Sequence, residues 1–119
     1  MKIERSTKKD KKFMTRTPAG KLVHFAQKNF GDFDLWKRAK GLKFALKKRH
    51  RYVTSHKAIL LKDGTPAWKN PESPEFYSMR ATWEMKKGDP LFKQVIAIRN
   101  RGLSASEKAF ISKQRNLKK

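Results

Sequence analysis

The stretch Lys11-Lys12-Phe13-Met14-Thr15-Arg16-Thr17-Pro18-Ala19-Gly20-Lys21-Leu22-Val23-His24-Phe25-Ala26-Gln27 reads as a β-hairpin. Residues 12–16 and 21–25 are rich in β-favouring types. They flank a four-residue turn in which Pro18 fixes φ and Gly20 permits a positive φ. Two strands alone are marginal in water, so the hairpin must pack on something. Residues 1–6 offer a third strand.

Residues 34 to about 52 follow as a predicted helix with Asp34 as N-cap. Leu35, Ala39, Leu42 and Leu46 fall at i, i+4, i+7 and i+11, one apolar stripe of a 3.6-residue period. Lys37, Arg38, Lys40, Lys43, Lys47 and Lys48 fill most of the other positions, and Lys47-Lys48-Arg49-His50-Arg51 closes the segment. Gly41, in the interior, weakens the helix. Residues 54–72 read as an ordered loop with room for a short strand: Asp63-Gly64 is a turn, prolines 66, 71 and 74 interrupt regular structure, and Trp68 pins it.

Three helix starts come next. Ser73-Pro74-Glu75 places Ser as N-cap and Pro at the first position, with Phe76, Met79 and Trp83 on one face and Gly88 as a stop. Asp89-Pro90 starts a helix that ends at Gly102. Ser104 and Glu107 have capping-box spacing, ahead of a thin apolar face of Phe110, Ile111 and Leu117. The expected fold is α+β: a small N-terminal antiparallel β-hairpin or three-stranded sheet packed on a basic amphipathic helix, then two or three short C-terminal helices. Residues 1–102 form the expected single domain. Residues 103–119 form a basic helical arm suited to ordering against a partner.

Charge points to function. The 119 residues carry 31 Lys+Arg against 10 Asp+Glu, a net charge of +21. A compact chain so charged repels itself and is eased by a dense array of anions, of which a phosphate backbone is the commonest. The 13 aromatic residues argue for a small core rather than disorder. Most of them, including Trp36, Trp68, Trp83, Phe13, Phe25, Phe44 and Phe76, read as core. Trp36 is the exception to watch: it lies off the stripe and would suit base stacking if exposed.

Other chemistries find little support. Without cysteine there is no disulfide and no thiolate metal site. His24, His50 and His56 are too scattered for a metal site, and the glycines are isolated rather than gathered into a phosphate loop. Capping accounts for Asp34, Glu75, Asp89 and Glu107, and a turn for Asp63. Asp32 and Asp34 are the one close carboxylate pair, with capping as the plain reading and a divalent ion as the sharper one. No catalytic residue, cofactor, small-molecule substrate or membrane segment is assigned, and there is no hydrophobic signal region.

In combination these segments resemble a family of small, basic, largely uncharacterised proteins encoded by large double-stranded DNA viruses, giant viruses and some phages. The resemblance rests on the run from Glu4 to Phe13, followed by Gly20-Lys21-Leu22-Val23-His24-Phe25. It continues through Phe30-Gly31-Asp32-Phe33, the basic helix ending in Arg49-His50, a Trp-containing loop, and the junction from Trp83 to Pro90. It covers about residues 2–101. The chain departs from the pattern at Ala26-Gln27, where the family has a further glycine, and the tail from Leu103 has no counterpart. The resemblance implies a viral origin and a small α+β domain, located in a virion or in the host-cell interior.

The expected function is non-enzymatic, sequence-nonspecific nucleic-acid binding, with DNA ahead of RNA. The expected contacts to phosphate are Lys37, Arg38, Lys40, Lys43, Lys47, Lys48, Arg49 and Arg51, with Lys8 and Lys9 from the first basic cluster. Alternatives are a minor virion protein docked on acidic capsid or core subunits, a ribosomal or other ribonucleoprotein component and, last, a small nuclease.

Overall fold

A computed structural model of the chain describes residues 1–117. The terminal pair Lys118-Lys119 of the expected C-terminal arm lies outside the described residues. Three antiparallel strands form the expected N-terminal sheet: β1 (Glu4–Arg5), β2 (Lys11–Arg16) and β3 (Leu22–Gln27), in that spatial order. Phe13 pairs with Phe25 and Thr15 with Val23, and all four are buried, as period-2 alternation requires. At the turn Gly20 adopts φ 85° and its N–H donates to the Thr17 carbonyl at 2.8 Å. Glu72 holds this turn from outside, accepting from the Thr17 hydroxyl and from the Ala19 N–H.

The single helix expected from residue 34 is two, α1 (Phe33–Lys40) and α2 (Leu42–His56). Asp32, not Asp34, caps α1: its Oδ1 accepts from the Leu35 N–H at 3.1 Å. Gly41 separates the helices at φ 93°, ψ 170°, donating to the Lys37 carbonyl and accepting from the Ala45 N–H. The break resets the phase of the apolar stripe. Leu35 is buried, but Leu42 and Leu46 are 50% and 41% exposed, and Ala45 takes the inner position. Phe44, expected in the core, is also exposed.

The segment after α2 is irregular. Leu60 bridges to Pro66, and a 3-10 turn spans Ala67–Lys69. The Trp68 ring lies about 5 Å from the ammonium groups of Lys57 (5.1 Å) and Lys69 (5.3 Å). Ser73 caps α3 (Pro74–Tyr77), which runs into a π-helical turn, Ser78–Thr82. Helix ends there, short of the expected stop at Gly88, because the Trp83 N–H returns to the Ser78 carbonyl and Glu84 turns left-handed at φ 42°.

Helix α4 (Pro90–Arg101) is capped by Asp89 and closed by Gly102. Helix α5 (Ala105–Asn116) begins with the Ser104–Glu107 capping box. It packs on α1, where the Phe110 ring meets Trp36 edge-on with centroids 4.9 Å apart. One apolar cluster joins the sheet to α3 and α4 through Phe13, Phe25, Tyr77 and Val95. A second joins Phe33, Ala45 and Trp83, with Trp36 and Tyr52 against it.

Candidate nucleic-acid interface

Four of the ten acidic side chains are turned inward. Asp32, Asp34, Asp89 and Glu107 are buried, whereas Lys12 and Arg99 are the buried basic residues among those described. The solvent-facing surface is therefore more positive than the composition suggests.

Arg99 of α4 is fully buried and organises these carboxylates. It binds both oxygens of Asp32, at 2.9 and 2.7 Å, Asp34 Oδ2 at 3.1 Å and Glu107 Oε2 at 2.8 Å. The Lys12 ammonium adds a 3.0 Å bond to Asp32 and one to the Phe30 carbonyl. Arg5 clasps Glu107 with two bonds of 2.8 Å. Burial alone would raise the Asp32 carboxyl, but Arg99 and Lys12 outweigh it and hold it well below the usual range. Burial likewise opposes ionisation of Glu107, yet Arg5 and Arg99 bring it down to about 2. Burial drives the Lys12 ammonium below its ordinary value, and Asp32 pulls it part of the way back.

This network changes the reading of Asp32 and Asp34. Asp32 is both a cap and a buried ion-pair partner. A divalent ion between the two carboxylates would have to displace the Arg99 guanidinium. Among the described residues, no three His, Asp or Glu side chains gather to hold a metal ion.

The predicted phosphate contacts separate into free and engaged groups. Lys37 on α1 and Lys43, Lys47 and Arg51 on α2 are exposed, and among the described residues they form no ion pair. At 100° per residue, Lys43, Lys47, His50, Arg51 and Thr54 share one solvent face of α2. Arg38 is engaged by Asp34 (2.8 Å) and Asn100, and Lys40 by the Leu117 carbonyl. Lys48 lies over the Trp36 ring, 4.6 Å from its centroid. Arg49 lies over Phe33 at 4.4 Å and donates to the Glu84 carbonyl. Lys8 and Lys9 are exposed in the connection between β1 and β2.

The inner edge of α2 carries a feature that the charge pattern missed. Lys48, Tyr52 and His56, at i, i+4 and i+8, line a pocket of about 530 Å³ between α2, β3, α3 and the loop at Phe30. Tyr52 stacks between His56 (3.8 Å) and Trp83 (4.5 Å). Glu75 ties the stack down, 2.7 Å from His56 Nδ1 and 3.2 Å from the Tyr52 hydroxyl. Burial, with Glu75 beside it, pushes the Tyr52 hydroxyl well above its ordinary pKa. The i, i+4, i+8 spacing is the sequence signal for this edge, and Gly41 sets its phase apart from that of the Leu35–Leu46 stripe. Trp36 also lines the pocket but is already packed on Phe44, Phe110 and Lys48. Comparison of the chain with protein-family models, curated proteins and solved structures gives no match.

Proposed function

We propose that the chain is a non-enzymatic, sequence-nonspecific nucleic-acid-binding protein of the large-DNA-virus family it resembles, contacting phosphates through α2. The observation that carries this reading is the solvent face of α2. Lys43, Lys47 and Arg51 lie there in register, exposed and without an acidic partner among the described residues. Cations needed only to complement a helix C-terminus would sit in the last turn. These extend along the helix, and Lys37 on α1 adds to them. Arg38 and Arg49 support the fold and leave phosphate contact to the free group.

The test is a titration of duplex DNA, single strands and RNA from about 50 to about 300 mM salt, with a Lys43/Lys47/Arg51→Ala variant alongside. On duplex DNA the slope of log affinity against log salt is expected to fall by about 0.9 for each phosphate contact removed. A slope unchanged by the triple substitution overturns the proposal.

A second reading, docking of this face on an acidic capsid or core protein, is favoured by Leu42 and Leu46. Both are exposed beside the cations, where phosphate has no use for them. In that case the triple variant leaves nucleic-acid binding intact, and Leu42→Ser/Leu46→Ser removes the protein from purified particles.

A further inference from the structure

The backbone irregularities of this fold converge on one place. Two non-glycine residues among those described adopt left-handed φ, Ala26 at 67° and Glu84 at 42°. Ala26 lines the pocket beneath α2, and Glu84 directly follows Trp83, which also lines it. The π-helical turn contributes Ser78 and Thr82 to the same wall. Each irregularity costs free energy that regular structure would not, and such costs concentrate at ligand sites.

The walls state the ligand chemistry. The volume of about 530 Å³ is within the range that encloses a small organic ligand. Aromatic rings supply much of the lining; Lys11 and Lys48 bring positive charge, while the two carboxylates of the wall are already engaged, Asp32 by Lys12 and Arg99 and Glu75 by His56 and Tyr52. Phe30 is 64% exposed although its backbone is fixed, its carbonyl held by the buried Lys12 ammonium. A free ring on a fixed backbone is a preformed stacking surface. A planar ring bearing an anionic group satisfies both parts of the wall.

Resting on the reading of α2 as the phosphate-contacting helix, we propose that this pocket takes one unstacked nucleotide of a bound single strand. Its base stacks on Phe30 and its phosphate meets Lys48 and Lys11. The solvent face of α2 carries Lys43, Lys47 and Arg51 for the neighbouring phosphates, and its inner edge carries Lys48, Tyr52 and His56 for the inserted unit. Duplex DNA, whose bases are paired and stacked, cannot fill the pocket without extruding one. The protein therefore prefers single strands to duplex.

The full chain is titrated with a nucleoside monophosphate, the matching nucleoside and inorganic phosphate, following tryptophan fluorescence; Trp36 and Trp83 both line the pocket. Saturable quenching by the monophosphate is expected, with weaker responses to the other two. Phe30→Ala, a change at a largely exposed ring, is expected to weaken the monophosphate by about 10-fold and to reduce the preference for single strands, as loss of one base–aromatic stack implies. Lys43/Lys47/Arg51→Ala is expected to leave the monophosphate response intact.

No saturable response to the monophosphate, with salt-steep strand binding retained, overturns the pocket and spares the helix face. Inorganic phosphate matching the monophosphate overturns it too, as does indifference to Phe30→Ala. If the triple variant binds polymer like the wild type while the monophosphate still quenches, the helix face fails and the pocket survives.

Discussion

The Arg99 guanidinium closes on the Asp32 carboxylate with two bonds of 2.9 and 2.7 Å, across 67 residues of chain. Neither side chain reaches solvent. A parallel, bidentate pair of this kind needs a planar fork, which lysine lacks. The same fork also reaches Asp34 and Glu107, so one side chain in α4 fixes the start of α1 and the start of α5.

Arg99→Met is therefore expected to destabilise the protein by about 3–5 kcal/mol, because three carboxylates lose their shared partner at once. Arg99→Lys restores charge without the fork and is expected to recover less than half of that loss. Urea unfolding checks both, and a loss below 1 kcal/mol for Arg99→Met, a value typical of about one surface ion pair, contradicts the assignment.

Acid acts on the same network. The folded-state pKa of Glu107 is about 2 against an ordinary 4.5, so its stabilisation is fully present above pH 4.5 and is lost as pH falls toward 2. Asp32 is depressed as well and acts in the same sense. Stability is expected to be level from neutrality to about pH 5 and to fall steeply below it. Glu107→Gln is expected to flatten the fall while lowering the plateau; an identical acid limb in that variant contradicts the prediction.

Gly31 is pressed against the contact that docks α5 on α1. A Cβ there runs into Phe110 Cζ and the Trp36 indole nitrogen. Gly31→Ala is expected to cost about 1–3 kcal/mol by forcing both rings aside. Hydrogen exchange of the α5 amides is expected to accelerate more than that of α4; equal protection in both helices argues against this local effect.

Gly41 is a different case, with open space around it and φ 93°. Gly41→Ala gains about 1 kcal/mol of helix propensity if the backbone could become helical, and incurs about 1–3 kcal/mol of strain if it stays as it is. Because α1 and α2 are each anchored by their own packing, net destabilisation of about 1 kcal/mol is expected, within those limits. A more stable, more helical variant indicates that the two helices can merge.

Local signals carried much of the fold. The Pro18–Gly20 turn, the Ser73, Asp89 and Ser104 caps and the Gly102 stop are short-range chemistry, readable wherever they occur. The hairpin followed from the β-favouring residues on either side of that turn. The break at Gly41 was visible only as a weak point, because propensity alone does not say whether a glycine bends a helix or divides it. Glu107 and Asp89 read as caps, and they are caps. Their second roles, on Arg99 with Arg5 and on Arg80, depend on partners outside the helices they start, Arg5 being 102 residues away in sequence. Beyond the i, i+4, i+8 edge of α2, the pocket was illegible for the same reason: the sheet, two helices and a loop at Phe30 meet there, and no sequence window contains them all.

The Arg5–Glu107 clasp, finally, bears on the order in which the molecule can be made. Its partners are 102 residues apart, so the first strand leaves the ribosome long before the carboxylate that receives it. Until then Arg5 is without that partner, and Asp32 and Arg99 are likewise separated by the time taken to translate α2 and α3. The sheet is synthesised first, and the Glu107 partner of its Arg5 comes near the end. A nascent chain of this protein thus carries Arg5 without Glu107, and Asp32 without Arg99, until α4 and the start of α5 are made.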